Sequence, residues 1–172
     1  MSQPEVWLRG PIQGVVPMLM PAAHALVQAS EDLERAASGL TVEELWVKPG
    51  GAASLGFHLR HIAGSTDRLL TYARGEQLAE TQRQAMSQEQ QPGDSPAAAA
   101  TLVREAQTAI ERALGAIRTV PKESLFDSRA IGRAALPTNV FGLLCHIAEH
   151  TQRHTGQVIT TAKIVRGLTL LR

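Results

Sequence analysis

Apolar residues recur at spacings of three and four along four long stretches of the chain, the pattern of helices that bury one face. The first stretch runs from about Pro17 or Pro21 to Ser38, with Leu19, Ala22, Ala23, Leu26, Ala29, Leu33 and Ala37 as its stripe and Gly39 placed to end it. Residues 1–16 before it read as an arm punctuated by Gly10-Pro11. Thr41 followed by Glu44 has the form of a capping box, which predicts a single turn carrying Leu45 and Trp46 into the core before Pro49-Gly50-Gly51. Ser54 is the natural N-cap of a second long helix to Ala73 or Arg74, with Leu55, Leu59, Ile62, Thr66, Leu69 and Ala73 facing inward and Gly75 as the stop.

Residues 76–95 are polar, rich in glutamine and weakly periodic, and read as a loop with a frayed helix. Ser95 as N-cap with Pro96 in the first turn opens a third helix over 96–119, whose stripe is Leu102, Ala106, Ala109, Ile110, Ala113, Leu114 and Ile117. Pro121 stops it. The connection over 121–137 sets Phe126, Ile131 and Leu136 among polar residues and punctuators, and is expected to be an ordered crossover. Thr138 or Asn139 then caps a fourth helix to about Arg166, with the stripe Val140, Leu143, Leu144, Ile147, His150, His154, Val158, Thr161, Ile164 and Val165. Four long helices with long connections predict an all-α four-helix bundle, built as one domain over residues 1–172.

Composition sharpens this picture at two points. The chain is 44% hydrophobic but only 3% aromatic, with many Ala and Leu, which favours closely packed helices over a sheet. A single cysteine excludes an intrachain disulfide and any Cys-x-x-Cys site, so a bound metal must be held by nitrogen and oxygen. Lys and Arg total 17 against 16 Asp and Glu, a formal charge of +1 with the basic residues scattered, so no nucleic-acid or membrane-surface footprint is expected. The beginning of the chain lacks the pattern of a signal peptide and no apolar run is long enough for a membrane span; the expectation is a soluble cytoplasmic protein.

Histidine breaks the fourth stripe. His146, His150 and His154 recur at intervals of four, and the last two stand where the pattern calls for core residues. An imidazole buried without a partner is costly, which leaves two readings: hydrogen-bonded or surface histidines, or a pair chelating one divalent cation. His61 lies about two turns into the second helix, and His150 and His154 lie about three turns into the fourth. If those helices are neighbours, three imidazole nitrogens meet inside the bundle and leave coordination positions open, the pattern of a catalytic metal. An all-imidazole set suits zinc best and admits nickel, cobalt, iron or manganese. His58, three residues before His61, is the rival third ligand if the helix is rotated. His146 reads as a pocket wall or a neighbour of the ligands, and His24 as structural or exposed. Gln157 lies on roughly the ligand face, suited to a hydrogen bond to a ligand, a substrate or another helix. Gly156 reads as a close-packing position, Glu149 and Arg153 as solvated, and Cys145 as a small core residue.

Trp46-x-x-Pro49, the run Ser54-Leu55-Gly56-Phe57-His58-Leu59-Arg60-His61-Ile62-Ala63-Gly64, and His150-x-x-x-His154-x-Gly156-Gln157 together resemble the DinB/YfiT-like superfamily, over nearly the whole chain. The resemblance implies up-down-down-up connectivity, a homodimer, and a divalent metal ion held by three histidines, carried over by motif to His61, His150 and His154. It further implies activity with small molecules, since relatives include S-transferases and isomerases that use a low-molecular-weight thiol, and metal-dependent hydrolases. Two mechanisms fit: a metal keeps a small thiol as thiolate for attack on an electrophile, or activates water for hydrolysis. Thr151 stands where a His-Glu-x-x-His protease carries its general base, which favours the thiol reading. A non-enzymatic, stress-related metal- or ligand-binding module is the third reading.

Overall fold

The computed structural model describes residues 3–169; the ends of the chain, residues 1–2 of the arm and 170–172, lie outside the described residues. The long helices form where the stripes predict them: α1 over Met20–Ala37, α3 over Leu55–Ala73, α5 over Ala99–Thr119 and α6 over Val140–Thr169. A short α2, Val42–Trp46, is capped as expected, with Thr41 Oγ1 accepting from the Glu44 N–H and Glu44 reaching back to the Thr41 N–H. Ser54 Oγ accepts from the Phe57 N–H to start α3, and Asn139 Oδ1 accepts from the Gly142 N–H to start α6.

Directions follow from cross-helix bonds. Gln152 bonds the Ala25 carbonyl and Arg166 the carbonyls of Ala36 and Ser38, so α1 and α6 run parallel. His58 meets His154 while His61 meets His150, so α3 runs antiparallel to α6. The turn before α1 lies on Arg118 at the end of α5, and the end of α1 lies against Ala98–Val103, so α5 opposes α1. The result is an all-α, up-down-down-up bundle in which α1 and α3 each pack against both α5 and α6. Its centre is formed by Leu26 and Leu33 of α1, Leu59 and Ile62 of α3, Ile110 and Ile117 of α5, and Leu144 and Ile147 of α6, all at most 1% exposed. Each such side chain contributes about 1.5–3 kcal/mol through burial. Among the described residues no helix is long and apolar enough to cross a membrane.

Four departures from the sequence pattern have physical reasons. The polar stretch after α3 forms a helix, α4 (Glu80–Gln88), none of whose residues is buried. Polar bonds hold it: Gln82 Nε2 donates to Asp67 Oδ2 at 2.7 Å and to Thr71 Oγ1 at 2.8 Å. No apolar stripe exists there to announce it. The crossover after α5 is ordered, as expected, but contains a hairpin, β1 (Ser128–Ile131) with β2 (Leu136–Asn139), paired from Ser128 opposite Asn139 to Ile131 opposite Leu136. Leu125 anchors this segment in the core and Arg129 Nε donates to the Ala73 carbonyl at the end of α3. α5 begins at Ala99 and not at Pro96 after a Ser95 cap; its N-cap residue is Ala98, whose methyl group has no acceptor to offer, and burial starts with Ala99 and Leu102. On α6, Ile164 is exposed while Val165 beside it is buried, because the buried face runs through Val158, Thr161, Ala162 and Val165 and one residue along a helix is about 100° of turn away.

The entrance to α3 is closely fitted. A Cβ added at Gly56 would stand 2.7 Å from carbons of the Trp46 indole, whose ring also carries the Arg60 guanidinium at 5.0 Å from its centroid. Gly56→Ala is therefore expected to destabilise the protein by about 1–3 kcal/mol, overpacking outweighing the helix-propensity gain of roughly 1 kcal/mol. A denaturant midpoint at or above that of the wild type would refute this.

Candidate metal centre

Antiparallel packing of α3 on α6 brings the sequence-predicted histidines together. His61 Nε2 lies 2.9 Å from His150 Nε2, and the His61 and His154 ring centroids are 4.5 Å apart. His150 and His154, one turn apart on α6, have centroids separated by 4.6 Å. One nitrogen from each of the three rings lies within 4.8 Å of the others, so one ion can gather all three. All three side chains are half-buried, walled by the core on one side and reachable by solvent on the other.

The donor set is chemically prepared for a cation. Burial, reinforced by the neighbouring His61, pushes the His150 and His154 imidazoles down from 6.5 to about 4 and about 3. At neutral pH both rings are uncharged and carry the lone pair a metal requires. His61 Nδ1 lies 2.7 Å from Glu89 Oε2, which leaves its Nε2 facing His150. A histidine with its outer nitrogen on a carboxylate and its inner nitrogen on the site is the arrangement that supports metal ligands.

A family model described as the DinB superfamily matches residues 25–158, a span that contains the whole histidine cluster. The chain belongs to the DinB superfamily. None of the curated proteins compared with it matches. In this DinB-superfamily chain the match begins within α1 and ends at Val158 on α6, so the N-terminal arm and the last turns of α6 lie outside it.

The other residues singled out by sequence sort clearly. His58 does not join the three-nitrogen cluster; it is buried on the far side of His154, with the two Nδ1 atoms 2.9 Å apart. Burial pushes its imidazole down to about 4. Phe57 stacks on His61 at 5.2 Å and 21°, and meets His58 edge-on. His146 lies on the exposed rim, 3.2 Å from Glu149 and with its ring 5.4 Å from that of His150. His24 Nε2 donates to the Gly10 carbonyl and ties the arm to α1, the structural role expected of it. Glu149 and Arg153 are exposed and paired with each other, and Cys145 packs half-buried against the core, where burial pushes its thiol up.

The interhelical bond expected of Gln157 is absent among the described residues, where its side chain is exposed. One expectation requires correction. Gly156 is exposed and a Cβ there would meet nothing within 4 Å, so it does not serve close packing.

Sequence reasoning missed Glu89 and Arg68. Glu89 follows the last turn of α4 and is only 6% exposed; Arg68 on α3 is 8% exposed and donates to Glu89 Oε1 at 2.6 Å. Burial pushes the Glu89 carboxyl up, but the hydrogen bonds from His61 and Arg68 and the Arg68 charge outweigh it and hold the group below the usual carboxylate range. One signal was present in the sequence: His61, Gly64 and Arg68 fall at spacings of three and four, placing an imidazole, a gap and a cation on one helix face.

Proposed function

We propose that His61, His150 and His154 hold one divalent transition-metal ion, zinc in first place and nickel in second, and that the protein is a thiol S-transferase acting with a low-molecular-weight thiol. The cluster of three imidazoles, with His150 and His154 held uncharged by burial, supports the metal, and the state of the nearby carboxylates supports the chemistry. Both oxygens of Glu89, the buried carboxylate at the cluster, are engaged, one by His61 and one by Arg68, so this group orients a ring and is not free to take a proton from water. Glu149 is exposed and paired with Arg153 and His146.

A bound divalent ion supplies Lewis acidity that favours thiolate over thiol near neutral pH. The three imidazoles bind and orient; their half-exposed edges leave an approach from solvent. Phe57 walls the site beside His61 and also lines a cleft of about 260 Å³ with Lys48, Ser54 and Gln90, space and charge for an anionic tail of a small thiol.

Elemental analysis of protein purified without a metal-affinity tag is expected to find about one equivalent of transition metal. Metal-loaded protein, given a panel of small thiols and a chromogenic electrophile, is expected to consume the electrophile only when thiol is present and to stop on chelation. Consumption of ester substrates at the same rate without thiol would assign hydrolysis instead, and absence of metal would overturn the reading.

A further inference from the structure

Glu89 approaches α3 from outside the bundle, and α3 is shaped to receive it. A Cβ at Gly64 would fall within contact distance of both Glu89 Oε1 and Arg68 Nη1, so a glycine in mid-helix leaves the space in which the two side chains meet. The approach is pinned at both ends: Gln82 is bonded to Asp67 and Thr71, and Arg60 donates to the carbonyls of Gln91 and Pro92. Glu89 is the buried residue that this outer segment contributes, while α4 itself buries none.

Donor and acceptor counting then fixes which nitrogen of a neutral His61 carries the proton. Arg68 has only donors to offer, so Glu89 Oε1 must accept. The other oxygen, Oε2, is left to accept from His61 Nδ1–H at 2.7 Å. An imidazole with its proton on Nδ1 carries its lone pair on Nε2, the nitrogen that faces His150. We propose that Glu89, itself held by Arg68, is the positioning residue that fixes the tautomer of His61 and so makes Nε2 a metal-competent donor. The inference rests on the reading of the three histidines as a metal set only for its affinity readout; the tautomer is measurable without metal.

Glu89→Gln tests it sharply because Arg68 dictates how the carboxamide sits. The Gln oxygen must face the Arg68 donors, which turns the amide NH₂ toward His61 Nδ1. His61 then has to accept at Nδ1 and carry its proton on Nε2, pointing into the cluster. Side-chain ¹⁵N NMR of the metal-free protein is expected to show His61 protonated on Nδ1 in the wild type and on Nε2 in Glu89→Gln. Zinc titration is expected to show affinity lower by about 10–100-fold in that variant.

The Glu89→Gln/Arg68→Met double variant frees the carboxamide to rotate, and is expected to restore the Nδ1–H tautomer and most of the lost affinity. An unchanged tautomer in Glu89→Gln, or a loss of affinity that the double variant does not reverse, would overturn the proposal and make Glu89 a packing residue. A wild type that binds no zinc, with the tautomer still switching between it and Glu89→Gln, would overturn the metal reading and leave the tautomer assignment standing.

Discussion

His154→Ala is expected to abolish stoichiometric zinc binding, a loss beyond the roughly 10–100-fold that follows from disturbing a residue behind a ligand. The ring of His154 lies within ring-contact distance of both His61 and His150, so its removal leaves two donors on different helices with no third to close the set. The loss also reads out as stability. A metal present at roughly 1,000 times its dissociation constant stabilises the folded state by about 4 kcal/mol. For a chain of this size that is about 8–16 °C in the unfolding midpoint. The wild-type midpoint should rise with zinc and fall back with chelator, while that of His154→Ala should ignore both. A variant that keeps one equivalent of metal, or whose midpoint still follows zinc, would remove His154 from the ligand set.

Acid is expected to destabilise the metal-free protein well above the pH at which carboxylates titrate. His58, His150 and His154 titrate near 4, 4 and 3 in the fold, against 6.5 for an exposed imidazole, chiefly because burial penalises the charged ring. Between those values the unfolded chain binds protons that the folded chain refuses, so stability is full above about pH 6.5 and falls as pH drops toward 4. His58 is 6% exposed and dominates; its uptake alone accounts for about 2 kcal/mol by pH 4.5, and the half-exposed His150 and His154 add less. Urea midpoints measured from pH 7.5 to 4.5 should decline accordingly, and His58→Asn should flatten most of the decline. A wild-type midpoint that holds constant from pH 7 to 5 would contradict the burial of these rings.

The bundle was legible because burial imposes a period. Leu26 and Leu33, Leu59 and Ile62, Ile110 and Ile117 sit in the structure as their spacing requires. The cluster was legible for the complementary reason: His150 and His154 occupy a stripe that should be apolar, a violation that needs a partner. The choice between His61 and His58 was not legible, since a rotation of α3 by part of a turn exchanges them and no local pattern sets it; the packing of α3 on α6 does. Glu89 was hidden for a different reason. It sits in a run of glutamines and serines that carries no period, and its partners lie 21 and 28 residues away. Hydrogen bonds leave no rhythm in a sequence, so an element held by them is visible only in three dimensions. The same holds for the hairpin, whose strands are short and whose anchor, Arg129, bonds a carbonyl 56 residues back.

The two nitrogens of His61 and His150 that stand 2.9 Å apart are separated by 89 residues of chain. During synthesis the first emerges with α3, and its counterparts follow only after α4, α5 and the hairpin have been made. Until α6 is made, a nascent chain thus presents only one of the three proposed ligands and cannot assemble the set that would hold an ion firmly. On the proposed reading, cargo loading comes last: the ion enters a finished bundle, so cells starved of metal should accumulate folded, empty protein that can be filled later without refolding.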